Sequence, residues 1–315
     1  FAYPYTFFHF LFKGGSEESN LKYHQFIQRM SGFLLKRVPG VRFTQSGEND
    51  FSKPSVIVAN HQSHLDLICL MALNPKLIFF TNEWVWKNPI YGYVIRKADY
   101  IPVNDGVEAH LDKIRALVER GYSLVIFPEG TRTVDGKVGR FHKGAFYVAS
   151  ELGLDITPVF IHGAYDVLPK TDFMLREGSV NVEVGPRIPC SKDYRSMTKV
   201  CHRIFVSHYA ELRKTLETPE YLAAYVKYKY LYKGADVESR CRKALARVND
   251  MAFLREVPSG NHFEIHDCGQ GEYALIFALM HPEVEVDAYD RDEDNVMLAS
   301  NISCLPANLH FHLEL

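Results

Sequence analysis

The sequence is short of the features that mark several large classes of protein. Its 315 residues include only six cysteines, at 69, 190, 201, 241, 268 and 304, with no C-x-x-C pair and no zinc spacing. Such scattered thiols exclude a disulfide framework and a zinc module, and they fit reduced cysteines in a cytosolic compartment. His61 and His64 lie close together, but no H-E-x-x-H and no third ligand accompany them, so no metal is expected. The apolar opening, residues 1–12, is too short to span a bilayer, which takes roughly 20 residues. An initiating methionine is missing and the chain stops just after a strand-like run, so a segment of a larger protein is expected. Nor does one sign of charge dominate: the formal net charge is −2.

That small total hides an uneven split. Residues 1–235 carry 30 Lys and Arg against 23 Asp and Glu, and residues 236–315 carry 6 against 15. The basic first part suits an anionic membrane surface or a phosphorylated substrate, and the acidic second part a soluble appendage. The aromatic opening ends at Lys13 and reads equally as an interfacial anchor, the tail of a truncated span, or an ordinary docking segment. Four segments follow from this pass: 1–19 as anchor plus linker, 20–215 as a first domain, 216–258 as a helical linker, and 259–315 as a second α/β beginning.

A helix is expected over about 21–37, with Tyr23, Phe26, Ile27, Met30, Phe33 and Leu34 on its apolar face and Pro39-Gly40 at its end. Packing on its own domain is the expected fate of that face, with partial membrane contact. Between 41 and 188 strand-like runs (41–45, 55–59, 77–81, 100–103, 123–127, 157–161, 180–184) alternate with helical patterns, notably 108–119 and 144–152. Alternation of this kind predicts an α/β domain with a mainly parallel sheet, flanking helices, and functional loops at the strands' carboxyl ends. After Pro189 the pattern is helical to about 256. Tyrosines 221, 225, 228, 230 and 232 interleave there with Lys227, Lys229 and Lys233, but no nucleic-acid motif accompanies them, and an amphipathic interdomain helix is expected.

The chemistry gathers at Asn60-His61-Gln62-Ser63-His64-Leu65-Asp66, where the β-branched run ending at Ala59 hands over to a helical pattern. An imidazole takes a proton near neutral pH, and a carboxylate on its far nitrogen fixes the tautomer and stabilises the cation. His61 and Asp66 can take those roles if the chain turns sharply at the helix start. The competing local reading has Ser63 or His64 capping the helix and Asp66 favouring its positive end.

NHQSHLD resembles the N-H-x-x-x-x-D motif of the glycerolipid acyltransferases, the family of the glycerol-3-phosphate and lysophosphatidate enzymes. The block Phe127-Pro128-Glu129-Gly130-Thr131-Arg132-Thr133 is similar to that family's F-P-E-G-T-R-S/T, and Phe141-His142-Lys143-Gly144-Ala145 and Ile156-Thr157-Pro158-Val159 to the two blocks after it. The resemblance implies transfer of a fatty acyl group from acyl-CoA or acyl carrier protein to a lysolipid hydroxyl. His61 would be general base and Asp66 its orienting carboxylate, with Glu129, Gly130, Thr131, Arg132 and Lys143 binding substrate. No acyl-enzyme and no further cofactor are implied. The arginine that the family often carries between its motifs is absent from Asp99-Tyr-Ile-Pro-Val103-Asn104-Asp105. Arg96 and Lys97 are the nearest substitutes, and a non-phosphate aminolipid is the alternative acceptor.

The last stretch has a strand (262–266), the turn Asp267-Cys-Gly269-Gln-Gly271, a helix (272–280), a second strand ending at Asp290, and a helix over about 293–302. Glycines let such a turn approach a ligand, and a downstream acid can hold a ribose. The arrangement resembles the opening of class I S-adenosylmethionine-dependent methyltransferases, a partial Rossmann-like unit. Asp267, Gly269, Gly271 and Asp290 would then be the cofactor-binding residues, although Tyr273 replaces the next glycine. A methyltransferase as the dominant function of the longer protein, or a non-catalytic ligand-binding or docking module, are the readings of this part. The order of segments is similar to bacterial polyproteins in which a transporter precedes an acyltransferase and a methyltransferase. That likeness implies an upstream transporter domain as partner and work at the cytoplasmic face of a bacterial inner membrane.

Overall fold

The alternation between 41 and 188 is realised as a seven-stranded sheet in the computed structural model, which describes residues 5–6, 16–48, 50–81, 83–89, 91–102, 108–172, 174–256 and 259–314. The anchor expected at 1–12 lies outside the described residues except for Tyr5 and Thr6. Tyr5 stacks on Phe26 with ring centroids 3.6 Å apart, and Thr6 and Tyr23 share a 2.7 Å hydrogen bond. No helix among the described residues is long and apolar enough to cross a membrane.

The first part of the chain runs α1 (Glu17–Leu35), β1 (Val41–Gly47), β2 (Val56–Ala59), α2 (Leu65–Leu73), β3 (Leu77–Thr81), α3 (Glu83–Lys87), α4 (Tyr91–Lys97) and β4 (Ile101–Pro102). It continues as α5 (Leu111–Glu119), β5 (Ser123–Ile126), α6 (Gly144–Leu152), β6 (Ile156–His162), α7 (Ala164–Val167), β7 (Gly178–Val184) and α8 (Tyr194–Leu216). The sheet order is β1-β7-β6-β2-β5-β3-β4, with β7 antiparallel to β6 and the strand pairs from β6 through β2, β5 and β3 to β4 all parallel.

β2 is the centre of this layer. All four of its residues are buried, as a parallel strand covered on both faces requires. Its register pairs Val58 with Ile126 of β5 and Ala59 with Val159 of β6. The residues that follow β2 and β5 therefore emerge side by side at one carboxyl edge, and these residues are the NHQSHLD and FPEGTRT blocks. Asn60, the first residue beyond β2, is buried. Its Nδ2 donates to Ile161 O at 2.8 Å and its Oδ1 accepts from Ile161 N at 2.8 Å, which pins the start of the loop to β6.

Helix α1 begins about four residues earlier than expected, at Glu17, because the Ser16 hydroxyl caps it, accepting from Ser19 N at 3.2 Å. Its buried stripe differs from the face anticipated. Tyr23, His24, Ser31 and Leu35 are buried, while Phe33 and Leu34 are 51% and 47% exposed. The helix packs against α2, and Gln28 Nε2 reaches Leu73 O there at 3.3 Å.

The chain divides into two compact units, Phe1–Leu175 with Ser179–Tyr209, and Arg176–Gly178 with Ala210–Leu315. The second unit contains α9 (Pro219–Lys227), α10 (Ala235–Leu245), β8 (His262–Ile265), α11 (Glu272–Met280), β9 (Glu285–Asp290), α12 (Glu293–Ser300) and β10 (Leu309–Leu313). Its strands form a parallel sheet in the order β10-β9-β8. The segment expected as a helical linker, 216–258, shares one apolar cluster with this sheet: Leu222, Val226, Cys241 and Leu245 pack with Ile276, Phe277 and Val286. A three-stranded sheet has little apolar surface of its own, so α9 and α10 supply the rest of the core.

Burial of His24 has a consequence for stability. Loss of water around the ring, then the Arg120 cation, lowers its pKa from 6.5 to about 4. The folded state thus refuses a proton that the unfolded chain binds, so the ring costs nothing above pH 6.5 and destabilises as pH falls from there towards 4. The loss should reach roughly 3 kcal/mol. Urea unfolding followed across this range should show it in the natural chain and show less of it in His24→Phe.

Candidate active site

The turn after β2 is built so that Asp66, in the first turn of α2, reaches backwards. One carboxylate oxygen, Oδ2, accepts from His61 Nδ1 at 2.8 Å, from Gln62 N at 2.6 Å and from Ser63 N at 2.8 Å. Asp66 is fully buried, where an ionised carboxylate needs several donors; three converge on it. Ser63 does cap in part, its Oγ accepting from Leu65 N at 3.2 Å and donating to Leu168 O at 2.8 Å, whereas His64 makes no side-chain cap. Both local expectations are thus met at once: the helix is capped by Ser63, and Asp66 is turned towards His61.

With Nδ1 donating to Asp66, the tautomer leaves His61 Nε2 as the free acceptor. The ring is 18% exposed and stacks on Phe127 at 4.0 Å between centroids. Its main chain is held on both sides, His61 N donating to Glu129 Oε1 at 2.9 Å and Thr133 N donating to His61 O at 2.8 Å. A base so fixed, with one nitrogen free and partly exposed, can accept a proton from a bound hydroxyl without reorganising.

The FPEGTRT block divides its labour. Glu129, expected to bind substrate, is buried, and its oxygens serve main-chain donors: Oε1 takes His61 N, and Oε2 takes Gly139 N at 2.8 Å. Burial pushes its carboxyl above the ordinary range, against the lowering effect of those hydrogen bonds. Glu129 therefore joins two loops. Gly130 has φ +70°, a left-handed conformation that only glycine adopts freely, and this turns Thr131 and Arg132 outward. Thr131 and Arg132 line a groove of about 480 Å³ together with Lys137, Arg140, His142 and Lys170. Lys170 Nζ donates to Thr131 Oγ1 at 2.9 Å.

Lys170 carried no signal in the sequence. It lies in no recognisable block, and only the fold of the loop after α7 brings it to Thr131. Lys143 shows the opposite: it was grouped with Thr131 and Arg132 but lines a second, separate groove beside α8. The substitutes considered for the missing arginine are also accounted for. Arg96 donates from Nη1 to Trp86 O at 2.5 Å, and neither Arg96 nor Lys97 lines these grooves, while Val103, Asn104 and Asp105 lie outside the described residues. No group of histidines, cysteines and carboxylates that could hold a metal occurs among the described residues.

The second unit tests the cofactor residues. Asp290 Oδ2 accepts from Gly269 N at 2.7 Å, and its Oδ1 accepts from Asp292 N at 2.9 Å and Asn295 Nδ2 at 3.2 Å. Three of the carboxylate's roughly four acceptor positions are thus used by its own loop. Gly271 (φ +85°) has no room for a side chain because a Cβ there would lie 2.7 Å from the Phe311 ring and 3.1 Å from Ala299 Cβ. The glycine admits the Phe311 ring, so its close approach is taken up by packing within the unit. Tyr273 donates its hydroxyl to Ala244 O at 2.5 Å, so the residue at the third-glycine position ties α11 to α10. Asp267, with φ 51°, completes a turn whose residues do not fit a nucleoside cofactor.

Comparison with known proteins bears on the first part of the chain. Residues 40–162 match the family model described as Acyltransferase. The chain is 30% identical over 183 residues to the chloroplastic 1-acyl-sn-glycerol-3-phosphate acyltransferase of Arabidopsis thaliana, covering 54% of this chain and 50% of that protein. It is 28% identical over 184 residues to the human 1-acyl-sn-glycerol-3-phosphate acyltransferase alpha, covering 56% and 63%. The chain thus spans between about half and two thirds of these curated relatives. The crystal structure of the 1-acyl-sn-glycerophosphate acyltransferase of Thermotoga maritima superposes with a TM-score of 0.59 over 67% of this chain and 88% of that one, at 21% identity, a likeness of fold.

Titration calorimetry of the 315-residue chain with S-adenosylmethionine should give no binding heat. Tight binding would mean that Asp290 gives up its loop donors and Phe311 moves aside.

Proposed function

We propose, on the premise that this chain belongs to the glycerolipid acyltransferase family through its domain at 40–162, that it transfers a fatty acyl group to the hydroxyl of a lysophospholipid of the 1-acylglycerol-3-phosphate kind. The observation that carries this reading is the His61–Asp66 pair at 2.8 Å, on a loop whose main chain is bonded to Glu129 and Thr133, two residues that line the Thr131–Arg132 groove. The acceptor hydroxyl loses its proton to His61 Nε2 as its oxygen attacks the thioester carbonyl carbon. Asp66 stabilises the imidazolium so formed. When the tetrahedral adduct collapses, the carbon–sulfur bond breaks and the imidazolium returns its proton to the departing thiolate. No covalent acyl-enzyme forms, and the donor is an acyl thioester, acyl-CoA or acyl carrier protein.

Of the two acceptor classes, the phosphate-bearing one is favoured by Arg132, Lys137, Arg140 and Lys170 around a single groove. A planar guanidinium can grip phosphate oxygens in pairs, and Lys170 adds a point charge next to Thr131. An aminolipid would meet four cations there against the two carboxylates of Glu129 and Asp135. On this reading the reaction takes place at the cytoplasmic face of a membrane. Half-exposed Phe33 and Leu34, with Arg37 4.6 Å over the Phe33 ring, support contact of α1 with that surface.

His61→Ala should lower kcat for labelled acyl thioester and lysophosphatidate by at least about a hundredfold, and Asp66→Asn by somewhat less. Turnover near that of the natural chain in a folded His61→Ala protein would remove the general-base role. Lys170→Ala should raise the acceptor KM roughly tenfold while leaving the donor KM in place. An unmoved acceptor KM would detach Lys170 from the phosphate and revive the aminolipid reading.

A further inference from the structure

Three loops meet at the carboxyl edge of the first sheet, and each carries a different part of the site. The loop after β2 holds His61, the loop after β5 holds Thr131 and Arg132, and the segment after β6 holds Lys170. The loop after β5 is tied to the base loop at Thr133, which bonds His61 O, and again at Gly139 through Glu129. Between those two points runs a turn, residues 134–137, of which Val134, Asp135 and Lys137 line the groove. Another support is needed for that turn, and a buried side chain beside the base provides it.

Gln62 follows His61 in sequence and is buried. Its Nε2 donates to Gly136 O at 3.4 Å and to the Tyr209 hydroxyl of α8, and its Oε1 accepts from Tyr165 N at 3.4 Å. One amide thus spends both of its donors and bonds three separate elements. Its main-chain N donates to Asp66 Oδ2 at 2.6 Å, so the same residue stands on the turn that orients the imidazole.

Tyr165 continues the link. Its hydroxyl donates to Val134 O at 3.0 Å, and Gly136 (φ +76°) comes so near its ring that a Cβ there would lie 3.2 Å from Cδ1. The turn therefore rests on Tyr165 at both Val134 and Gly136. Further along the same segment Lys170 Nζ reaches back to Thr131 Oγ1 at 2.9 Å and Arg132 O at 3.4 Å. Tyr209 is held for its part by α8, where Met197, Cys201, Phe205 and Tyr209 recur every four residues and are buried along one seam. Base loop, groove turn and Lys170 segment thus share one clamp.

We propose that Gln62 is a positioning residue that sets the span between the base and the phosphate groove, and so selects acceptors by how far the hydroxyl lies from the phosphate. The proposal rests on the acyl-transfer reading given above and assigns the source of its acceptor selectivity. The reacting hydroxyl must come within hydrogen-bond reach of His61 while its phosphate is gripped, and an error of about 1 Å in that span is costly to rate. In a 1-substituted glycerol-3-phosphate the free hydroxyl sits on the carbon next to the one bearing the phosphate. In the 2-substituted isomer it sits one carbon further away. A clamp of fixed length distinguishes the two, and a slack one does not. Without the Gln62 amide, the ends of the turn stay tied at Thr133 and Gly139, but the turn itself and the Lys170 segment lose their common anchor.

The test uses the full chain with Gln62→Leu, which keeps most of the volume and loses all three side-chain bonds, and with Tyr209→Phe, which loses one. The acceptors are 1-O-alkyl- and 2-O-alkyl-glycerol-3-phosphate, whose ether chains cannot migrate between hydroxyls, and thermal unfolding is the control for folding. The natural chain should favour the 1-O-alkyl acceptor in kcat/KM by at least about tenfold, and Gln62→Leu should cut that preference roughly tenfold, the scale of one or two hydrogen bonds. Tyr209→Phe should move it in the same direction by less. KM for the acyl donor should stay in place, and the pH profile of kcat should keep its shape because His61 and Asp66 remain paired. A merely structural role would slow both acceptors by one factor, so an unchanged ratio in folded variants would overturn the proposal. A natural chain that does not distinguish the two acceptors would overturn it as well, and so would a displaced pH profile in Gln62→Leu, which would put the defect at the base. If Gln62→Leu does not fold, the ratio in Tyr209→Phe decides alone. A natural chain that acylates neither acceptor would defeat the reading of function itself, and the proposal would fall with it.

Discussion

One buried carboxylate organises the first unit. Asp66 has no access to water, and an ionised group so placed is tolerable only if donors surround it. The turn between β2 and α2 supplies them from two main-chain N–H groups and the His61 ring. The same three bonds satisfy the main-chain N–H groups of Gln62 and Ser63 in the turn before the helix, fix the tautomer of the histidine, and bend the loop sharply enough for a five-residue separation to close to 2.8 Å. Fold and chemistry share one device.

Around it stand other polar residues used as braces. Asn60 ties the loop's first residue to β6, Glu129 joins the His61 main chain to Gly139, and Thr133 N secures the His61 carbonyl. All three brace residues are buried, so their hydrogen bonds are made without competition from water. Arg132 and Lys143, by contrast, lie on loops, the first half-buried and the second exposed. In the reading proposed above, a rigid base moves the proton and adaptable cations recognise the substrate.

The second unit spends its polar residues on itself. Asp290 closes the glycine turn, Tyr273 ties two helices, and Phe311 occupies the space that Gly271 leaves open. A turn of this shape serves close packing between helix and strand as readily as ligand approach, and here the aromatic ring takes the place.

Short-range pattern determined much of this protein in advance. The run of β-branched residues before Asn60, the placement of both blocks after apolar strands, and the five-residue step from His61 to Asp66 were legible because strand and helix periodicity and helix-start chemistry act over a few neighbouring residues. Helices Gly144–Leu152 and Glu272–Met280 are likewise marked by their apolar pattern and flanking glycines. Tertiary structure alone decided the partners. Lys170 meets Thr131 only because α7 delivers its loop there, Lys143 faces α8 and not Arg132, and Glu129 turns inward to bind two main-chain groups. It also decided that α1 leaves Phe33 and Leu34 in water and that α9 and α10 belong to the core of the second unit. The physical reason is that polar residues carry no periodicity, and which donor or apolar face they meet depends on strand order and helix crossings, contacts made between residues from 10 to 101 positions apart.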